Sequence, residues 1–326
     1  MIFPGALGDF LLALPVLRAL RARHASACAT LVVKESLRAL ALLAEVADAT
    51  VAIESAESAA LFGSSAMPSW LAAGPVVYSW LGGSDGEVRA RLASLARGVR
   101  FFRVERGEGA EHAAVSYARA ADVRGSLAAT ATIAPPPSVA ADALFGELSA
   151  PVLAVHPGAG ARAKRWDVAG FVQVAHWWRT NGGSVVAIAG PAEAGEAPAL
   201  GAREIRDWPL PDLAALLGRA ALYLGNDSGV SHLAAAVGVP GVVLFGPSDA
   251  RRWRPLSERI AILRARSSAP DGIGLTALPP ARVIGACRRR FTLTRGDLDI
   301  SVRPAGQADA GREPSNKFPC VPSKSR

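Results

Sequence analysis

Cysteine is scarce: Cys28, Cys287 and Cys320 are the only three in a chain of 326 residues. They lie far apart and form no C-x-x-C pair. This excludes a disulfide-rich scaffold and a cysteine zinc site, and it makes a reducing cytoplasm the expected location. Aromatic residues are few at 6%, while half the chain is apolar, so the core must be built from small aliphatic side chains. Long apolar runs are missing too. The stretch after Phe10 is broken by Arg18, Arg21 and Arg23, well short of the roughly 20 residues of a spanning helix. No basic residue precedes that stretch, so it does not read as a secretory leader. Metal-ligand spacings such as H-x-x-x-H or a His/Cys cluster are absent, and no bound metal is expected.

Charge is lopsided but local. The net charge is +8, yet residues 288–326 hold nine Lys or Arg against four Asp or Glu. The tail therefore carries five of those charges and the body about three, too few for a nucleic-acid surface. A basic tail of this kind suits solvent or the anionic face of a membrane.

Helix and strand patterns alternate along the chain. DFLLALPVLRALRARH has apolar residues at helical spacing and closes on Arg21, Arg23 and His24, the charge that a helix C-terminus favours. CATLVVK, ATVAIE, PVVYSW and VRFFRVE read as strands, with SLRALALLAEV as a helix between the first two. Pro135, Pro136 and Pro137 interrupt the rhythm, since proline continues neither a helix nor a central strand. It restarts with PVLAVHPG, SVVAIAG, ALYLG and VPGVVLFG as strands, separated by helices over WDVAGFVQVAHWWRTNGG, LPDLAALLGRA and SHLAAAVG. The pattern predicts two α/β domains with parallel sheets, residues 1–140 and 150–290, with a cleft between them as the default site. A disordered basic tail is expected over 291–326. Only Met1, Ile2 and Phe3 precede the first loop, so the first strand is expected to be clipped, or the true start to lie upstream.

Four loops at strand ends carry candidate chemistry. In PGALGDF, Asp9 stands at a helix N-terminus, either as a functional carboxylate or as a plain helix cap. In HPGAGARAKRW, Gly158, Gly160 and Ala161 leave backbone N–H groups open, and Lys164 and Arg165 add positive charge. That composition suits a phosphate or diphosphate, or else a solvated basic turn. The spacing Gly158 to Ala163 also matches G-x-G-x-x-A, but the acid that a dinucleotide fold needs about 20 residues on is missing. In AGPAEAGE, Glu193 or Glu196 is either an acceptor for ribose hydroxyls or an exposed acid near a helix start. In LGNDSGVSHLAAAVG, the N–H groups of Ser228, Gly229 and Val230 sit at a predicted helix start near Ser231, again an anion site. The order G-N-D-S-G-V is not the G-x-S-x-G of a serine nucleophile.

Together, GALGDFLLALPVLRALR, HPGAGARAKRW, AGPAE and LGNDSGVSHLAAAVGVPGVVLFGPSD resemble glycosyltransferase family 9, the ADP-heptose:lipopolysaccharide heptosyltransferases. The resemblance implies a GT-B fold, in which two Rossmann-like domains face across a cleft. It implies inverting, metal-independent transfer of heptose from ADP-heptose to a lipopolysaccharide core-type glycolipid at the cytoplasmic face of the inner membrane, with no nucleic acid and no stable protein partner. By position, Asp9 would be the general base and Lys164 would balance charge on the departing diphosphate. Gly158, Ser228, Gly229 and Val230 would hold the phosphates. Asp227 and His232 would shape the donor pocket, Glu193 would hold the ribose and Trp208 would pack on the adenine. The segment from about Ser55 to Val99 departs from the family's acceptor-side pattern, with VVYSWLGG in its place. That departure motivates an alternative, an inactive nucleotide-sugar binder of the same fold. A third reading, an NAD-type oxidoreductase, rests on Gly158 to Ala163 alone.

Overall fold

In a computed structural model of the chain, the described residues are 1–62, 67–82, 85–103, 111–190, 200–264, 275 and 278–300, with side chains in the last helix described to 293. The first half holds α1 (Leu7–Arg23), β1 (Thr30–Val33), α2 (Arg38–Leu43), β2 (Ala49–Ala52), α3 (Ala56–Ala59), β3 (Val76–Ser79), α4 (Gly86–Leu95), β4 (Gly98–Phe101), α5 (Ala113–Ala120), α6 (Leu127–Thr130) and α7 (Val139–Gly146). The second holds β5 (Val152–His156), α8 (Val168–Thr180), β6 (Ser184–Ala189), β7 (Arg203–Arg206), α9 (Leu210–Arg219), β8 (Leu222–Asn226), α10 (Gly229–Ala236), β9 (Gly241–Phe245), α11 (Ala250–Trp253), β10 (Ile260–Arg264) and α12 (Pro280–Ile300).

A single residue of the N-terminal segment, Ile2, takes part in the first sheet. Ile2 bridges Val32 on one side and Ser79 on the other, both parallel. Its amide donates to Tyr78 O at 2.8 Å, and Trp80 N donates to Ile2 O at 2.9 Å. This one residue joins the β1–β2 pair to the β3–β4 pair. The second sheet is fully parallel in the order β10-β9-β8-β5-β6-β7. Counted from β5, the first three strands build outward on one side and the next three on the other. The order therefore reverses between β5 and β8, the point at which open α/β sheets bind ligands beyond their C-terminal strand ends.

Three apolar layers sandwich the two sheets. Leu153, Val155, Leu222 and Leu224 point to one face of the second sheet, against Phe171 and Trp178 of α8 and Val283 of α12. Their strand neighbours Ala154, Tyr223 and Val243 point the other way, as the two-residue period of a strand requires. That second layer contains Phe10, Leu14 and Leu17 of α1, Leu216 of α9 and Leu233 of α10, and it reaches Leu31 and Val33 of β1. The two halves thus share one buried layer, in which α1 lies against α10. Val32, Val77, Val88 and Leu92 line the far face of the first sheet.

Two local differences from the expected elements have simple causes. α10 begins at Gly229 rather than near Ser231, with Ser228 in extended backbone at its N-cap. α12 runs to Ile300, ten residues into the segment expected to be a disordered tail. Phe291 packs edge-on to Trp178 at 4.9 Å, which anchors the start of that stretch to α8. The rest of the tail, 301–326, lies outside the described residues. Cys28 is disulfide-bonded, against the expectation of unpaired cysteines, while Cys287 is a buried free thiol. Among the described residues no helix is long and apolar enough to cross a membrane.

Candidate active site

The site forms where β5 and β8 end side by side, with His156 in register with Gly225. Asn226, the last residue of β8, is fully buried. Its side chain clasps the loop that follows β5: Nδ2 donates to Pro157 O at 2.6 Å, and Oδ1 accepts from Trp166 N at 3.1 Å. One amide therefore holds both ends of the Pro157–Trp166 loop against the start of α10. A buried amide satisfied on both sides is a strong local constraint, because losing either partner strands a polar group.

The Ser228 hydroxyl does not cap the backbone of α10. It meets His156 Nδ1 at 3.1 Å and Ser231 Oγ at 3.4 Å. Ser231 in turn donates to Asn226 O at 2.6 Å and meets Tyr223 OH at 2.9 Å. Burial, aided by the charge of Arg165, lowers the His156 pKa to about 4, so the ring is neutral at pH 7 and can accept from Ser228. This network fixes the N-cap backbone. The leading N–H groups of α10, those of Gly229 and Val230, have no partner within the helix. They point outward at the positive end of its dipole, an anion site by construction.

Lys164 does not stand free as the sequence implies. Its Nζ donates to Asp227 Oδ2 at 2.8 Å, with Asp227 only 7% exposed and Lys164 35%. Asp227 is itself fixed by its amide, which donates to Leu244 O at 3.0 Å. The carboxylate thus parks the ammonium beside the first turn of α10. His232, on that turn, is buried, and burial lowers its pKa to about 4 against the opposing pull of Asp227. It faces the site as a neutral ring.

The first loop closes on this arrangement from the other half. A Cβ on Gly8 would lie 3.2 Å from the His232 ring, and one on Gly229 would lie 2.9 Å from Leu7 Cβ. Glycine at both places lets the starts of α1 and α10 touch. Asp9 follows directly. It is not the helix cap: Ala6 holds that position and no side chain caps α1. Instead the Asp9 carboxylate, half-buried, accepts from Tyr117 OH of α5 at 3.4 Å. The alternative of Asp9 as a simple cap therefore falls.

Gly158, Lys164, Asp227, Ser228, Gly229, Val230 and His232 all gather at the switch point, and Asp9 follows Gly8, which lies against His232. Trp208 lies half-buried between β7 and α9, on the same sheet edge but two strands away. Glu193 and Glu196 lie outside the described residues. His156, Asn226 and Tyr117 escape the sequence reading. The first two sit in quoted motifs, where a polar residue closing a buried strand is the signal. Tyr117 gives none, being 108 positions from Asp9. Among the described residues no group of three or more His, Cys, Asp or Glu is placed to hold a metal ion.

The glycosyltransferase family 9 (heptosyltransferase) model matches residues 65–272, well over half of the chain. The chain belongs to glycosyltransferase family 9. Lipopolysaccharide heptosyltransferase 3 of Escherichia coli is 33% identical over 117 residues, which is 32% of this chain and 34% of that protein. The matched stretch thus spans about a third of that relative. Two solved structures share the fold along nearly the whole chain. E. coli ADP-heptose lipopolysaccharide heptosyltransferase II has a TM-score of 0.69 at 19% identity, covering 90% of this chain and 98% of its own. A family 9 glycosyl transferase of Veillonella parvula has a TM-score of 0.72 at 19% identity, covering 90% and 96%. The architecture is therefore GT-B, with parallel sheets on either side of a cleft. For a family 9 chain, Gly158 to Ala163 is part of the β5 loop beside α10 and not a dinucleotide fingerprint. The matched stretch contains Lys164 and the Asn226–His232 loop but begins after Asp9, so the case for Asp9 rests on the geometry above.

Proposed function

We propose that this family 9 chain transfers a heptose from ADP-heptose to a lipopolysaccharide core-type acceptor, with inversion and without a metal ion. The observation that carries this reading is the contact between the start of α1, which bears Asp9, and the start of α10, which with Lys164 forms the anion cradle at the β5–β8 switch point. A donor diphosphate is an anion of the right kind for the α10 N-terminus and Lys164. Asp9 takes the proton of the acceptor hydroxyl as that oxygen attacks the anomeric carbon. The bond to the diphosphate oxygen breaks with both electrons going to ADP, and the new charge is met by Lys164 and the N–H groups of Gly229 and Val230. Gly158 keeps the β5 loop close to the phosphates. Asp227 positions the ammonium, and His232 presents an uncharged ring to the sugar. Trp208 packs on the adenine and Glu193 holds the ribose. The acceptor is a glycolipid reached from the cytoplasmic side of the inner membrane.

Incubation with ADP-heptose and a heptose-free lipid A–Kdo acceptor should release ADP at the same rate with and without EDTA. No release across a range of acceptors and nucleotide sugars would sink the transferase reading. Loss of activity in EDTA, restored by a divalent ion, would sink metal independence alone.

Lys164→Met removes the cation from the cradle. A charge-assisted hydrogen bond contributes about 1.5–3 kcal/mol, so ADP affinity by calorimetry should fall roughly 10- to 150-fold. Lys164→Met with Asp227→Asn should fold better than Lys164→Met alone, because the single change strands a buried carboxylate. Unchanged ADP affinity in Lys164→Met would remove Lys164 from the phosphate site.

A further inference from the structure

The loop after β9 carries a cation that the proposed reaction leaves unused. Arg252, on the short helix α11, is only 4% exposed. Its Nη1 donates to Glu111 O at 3.0 Å, at the start of α5. Its Nε and Nη2 have no hydrogen-bond partner and do not touch solvent. The Trp253 ring lies 5.0 Å from Cζ and offers the cation its π face, but it accepts nothing from those two N–H groups. Among the described residues, the carboxylate of Glu111 pairs with Arg119 at 2.6 Å and not with Arg252.

The two unused groups are not a random pair. Nε–H and the outer Nη2–H form one edge of the guanidinium, the edge that grips a carboxylate or phosphate with two parallel hydrogen bonds. A buried guanidinium with that edge empty is costly, because removal from water is not repaid by a counter-charge. His112, the residue after Glu111, has its pKa lowered by burial and further by the charges of Arg254 and Arg252. Sequence position alone gives no reason to place a cation here; a methionine or leucine would fill the space at less cost.

The location ties the edge to the reacting centre. Glu111, which holds Arg252, leads into α5, and Tyr117 of the same helix touches Asp9. Six residues separate the two contacts, and the helical part of that path, from Ala113 to Tyr117, rises roughly 6 Å. The donor diphosphate already has its own cradle at α10. A second oxyanion near Asp9 belongs to the other substrate.

We infer that Arg252 is an oxyanion subsite, whose Nε–Nη2 edge takes a carboxylate or phosphate group of the acceptor close to the hydroxyl that Asp9 activates. Because the edge is covered in this arrangement, its engagement goes with movement of α11 away from the start of α5. The inference rests on the transferase reading for the identity of the ligand, but its test does not need turnover.

With ADP saturating, so that the cradle is filled, inorganic phosphate and acetate are titrated by calorimetry into the wild-type chain and into Arg252→Met and Arg252→Lys. The wild type should show a further saturable heat with at least one anion. Arg252→Met should weaken it at least tenfold, and Arg252→Lys should fall between. Phosphate alone binding assigns a phosphate group, and acetate alone a carboxylate. In parallel, the thermal midpoint of Arg252→Met should equal or exceed that of the wild type, because an unpaired buried charge is removed. Equal anion binding in wild type and Arg252→Met, or no second anion site at all, overturns the inference. A midpoint of Arg252→Met several degrees below wild type also overturns it, since Arg252 would then be a structural strut. Failure of ADP itself to bind the wild type would instead overturn the proposed function.

Discussion

Asp9→Asn lowers kcat by about 10²- to 10⁴-fold, the range removed with a positioned general base, and leaves ADP affinity unchanged. The substitution keeps size and shape, so the close approach of Gly5, where an added Cβ would lie 2.8 Å from Asp9 Cβ, stays in place. The donor cradle lies on the other half of the molecule and does not depend on Asp9. The Tyr117 hydroxyl still finds an oxygen, the side-chain carbonyl of Asn. Only the capacity to take a proton is lost. A merely structural role would give the opposite pattern, with a changed unfolding midpoint and a small change in kcat. If Asp9→Asn turned over at the wild-type rate, the base would have to be sought elsewhere in the cleft. Steady-state kinetics with calorimetric ADP titration separates these outcomes.

Stability falls steeply as pH drops from 6.5 to 4. His156 and His232 both titrate near 4 in the folded chain, chiefly because burial disfavours the charged ring, against about 6.5 when unfolded. Between these values the unfolded chain binds protons that the folded chain does not, so stability rises with pH through that window. Above 6.5 the full contribution is present, and below 4 nothing further is lost. Each ring is worth about 3 kcal/mol over the window. Together they rival the roughly 5–15 kcal/mol that holds an ordinary domain folded. Urea midpoints at pH 7 and 5.5 test this above the range where most carboxylates titrate. His156→Asn, which can still accept from Ser228, should flatten the slope by about half. A midpoint that does not move between pH 7 and 5.5 would refute it. The same experiment bears on the site, because protonating His156 would turn its Nδ1 from an acceptor into a donor toward the Ser228 hydroxyl and re-aim the hydroxyl proton at the N-cap of α10.

Much of the fold is legible in the residues because buried parallel strands leave continuous apolar runs. TLVV, VLAVH, SVVAIA, LYLGN and GVVLF are all such runs, each bounded by a glycine, a proline or a polar loop. β7 is not one. Its residues REIR bury only Ile205, as befits an edge strand, and it casts no apolar pattern. The single-residue strand at Ile2 was legible as a shortage of residues before the first loop. The phosphate-type loops were legible because glycine, lysine and a helix start occur together. What the sequence hides is pairing across distance. That Lys164 sits on Asp227, that Asp9 meets Tyr117, and that Arg252 is anchored at Glu111 O are outcomes of how two sheets and their shared helices pack. No local pattern encodes them. The C-terminal helix escaped for a related reason: α12 is amphipathic only weakly, and its anchor, Phe291 on Trp178, is a tertiary contact.

In the proposed reaction an acceptor hydroxyl, deprotonated by Asp9, displaces the diphosphate held at α10 in one step. The configuration of the transferred sugar tests that claim most directly. Nuclear magnetic resonance of the product should show the anomeric carbon inverted relative to the ADP-heptose supplied. A product that retains the donor configuration would require a second displacement, and would contradict the role given to Asp9.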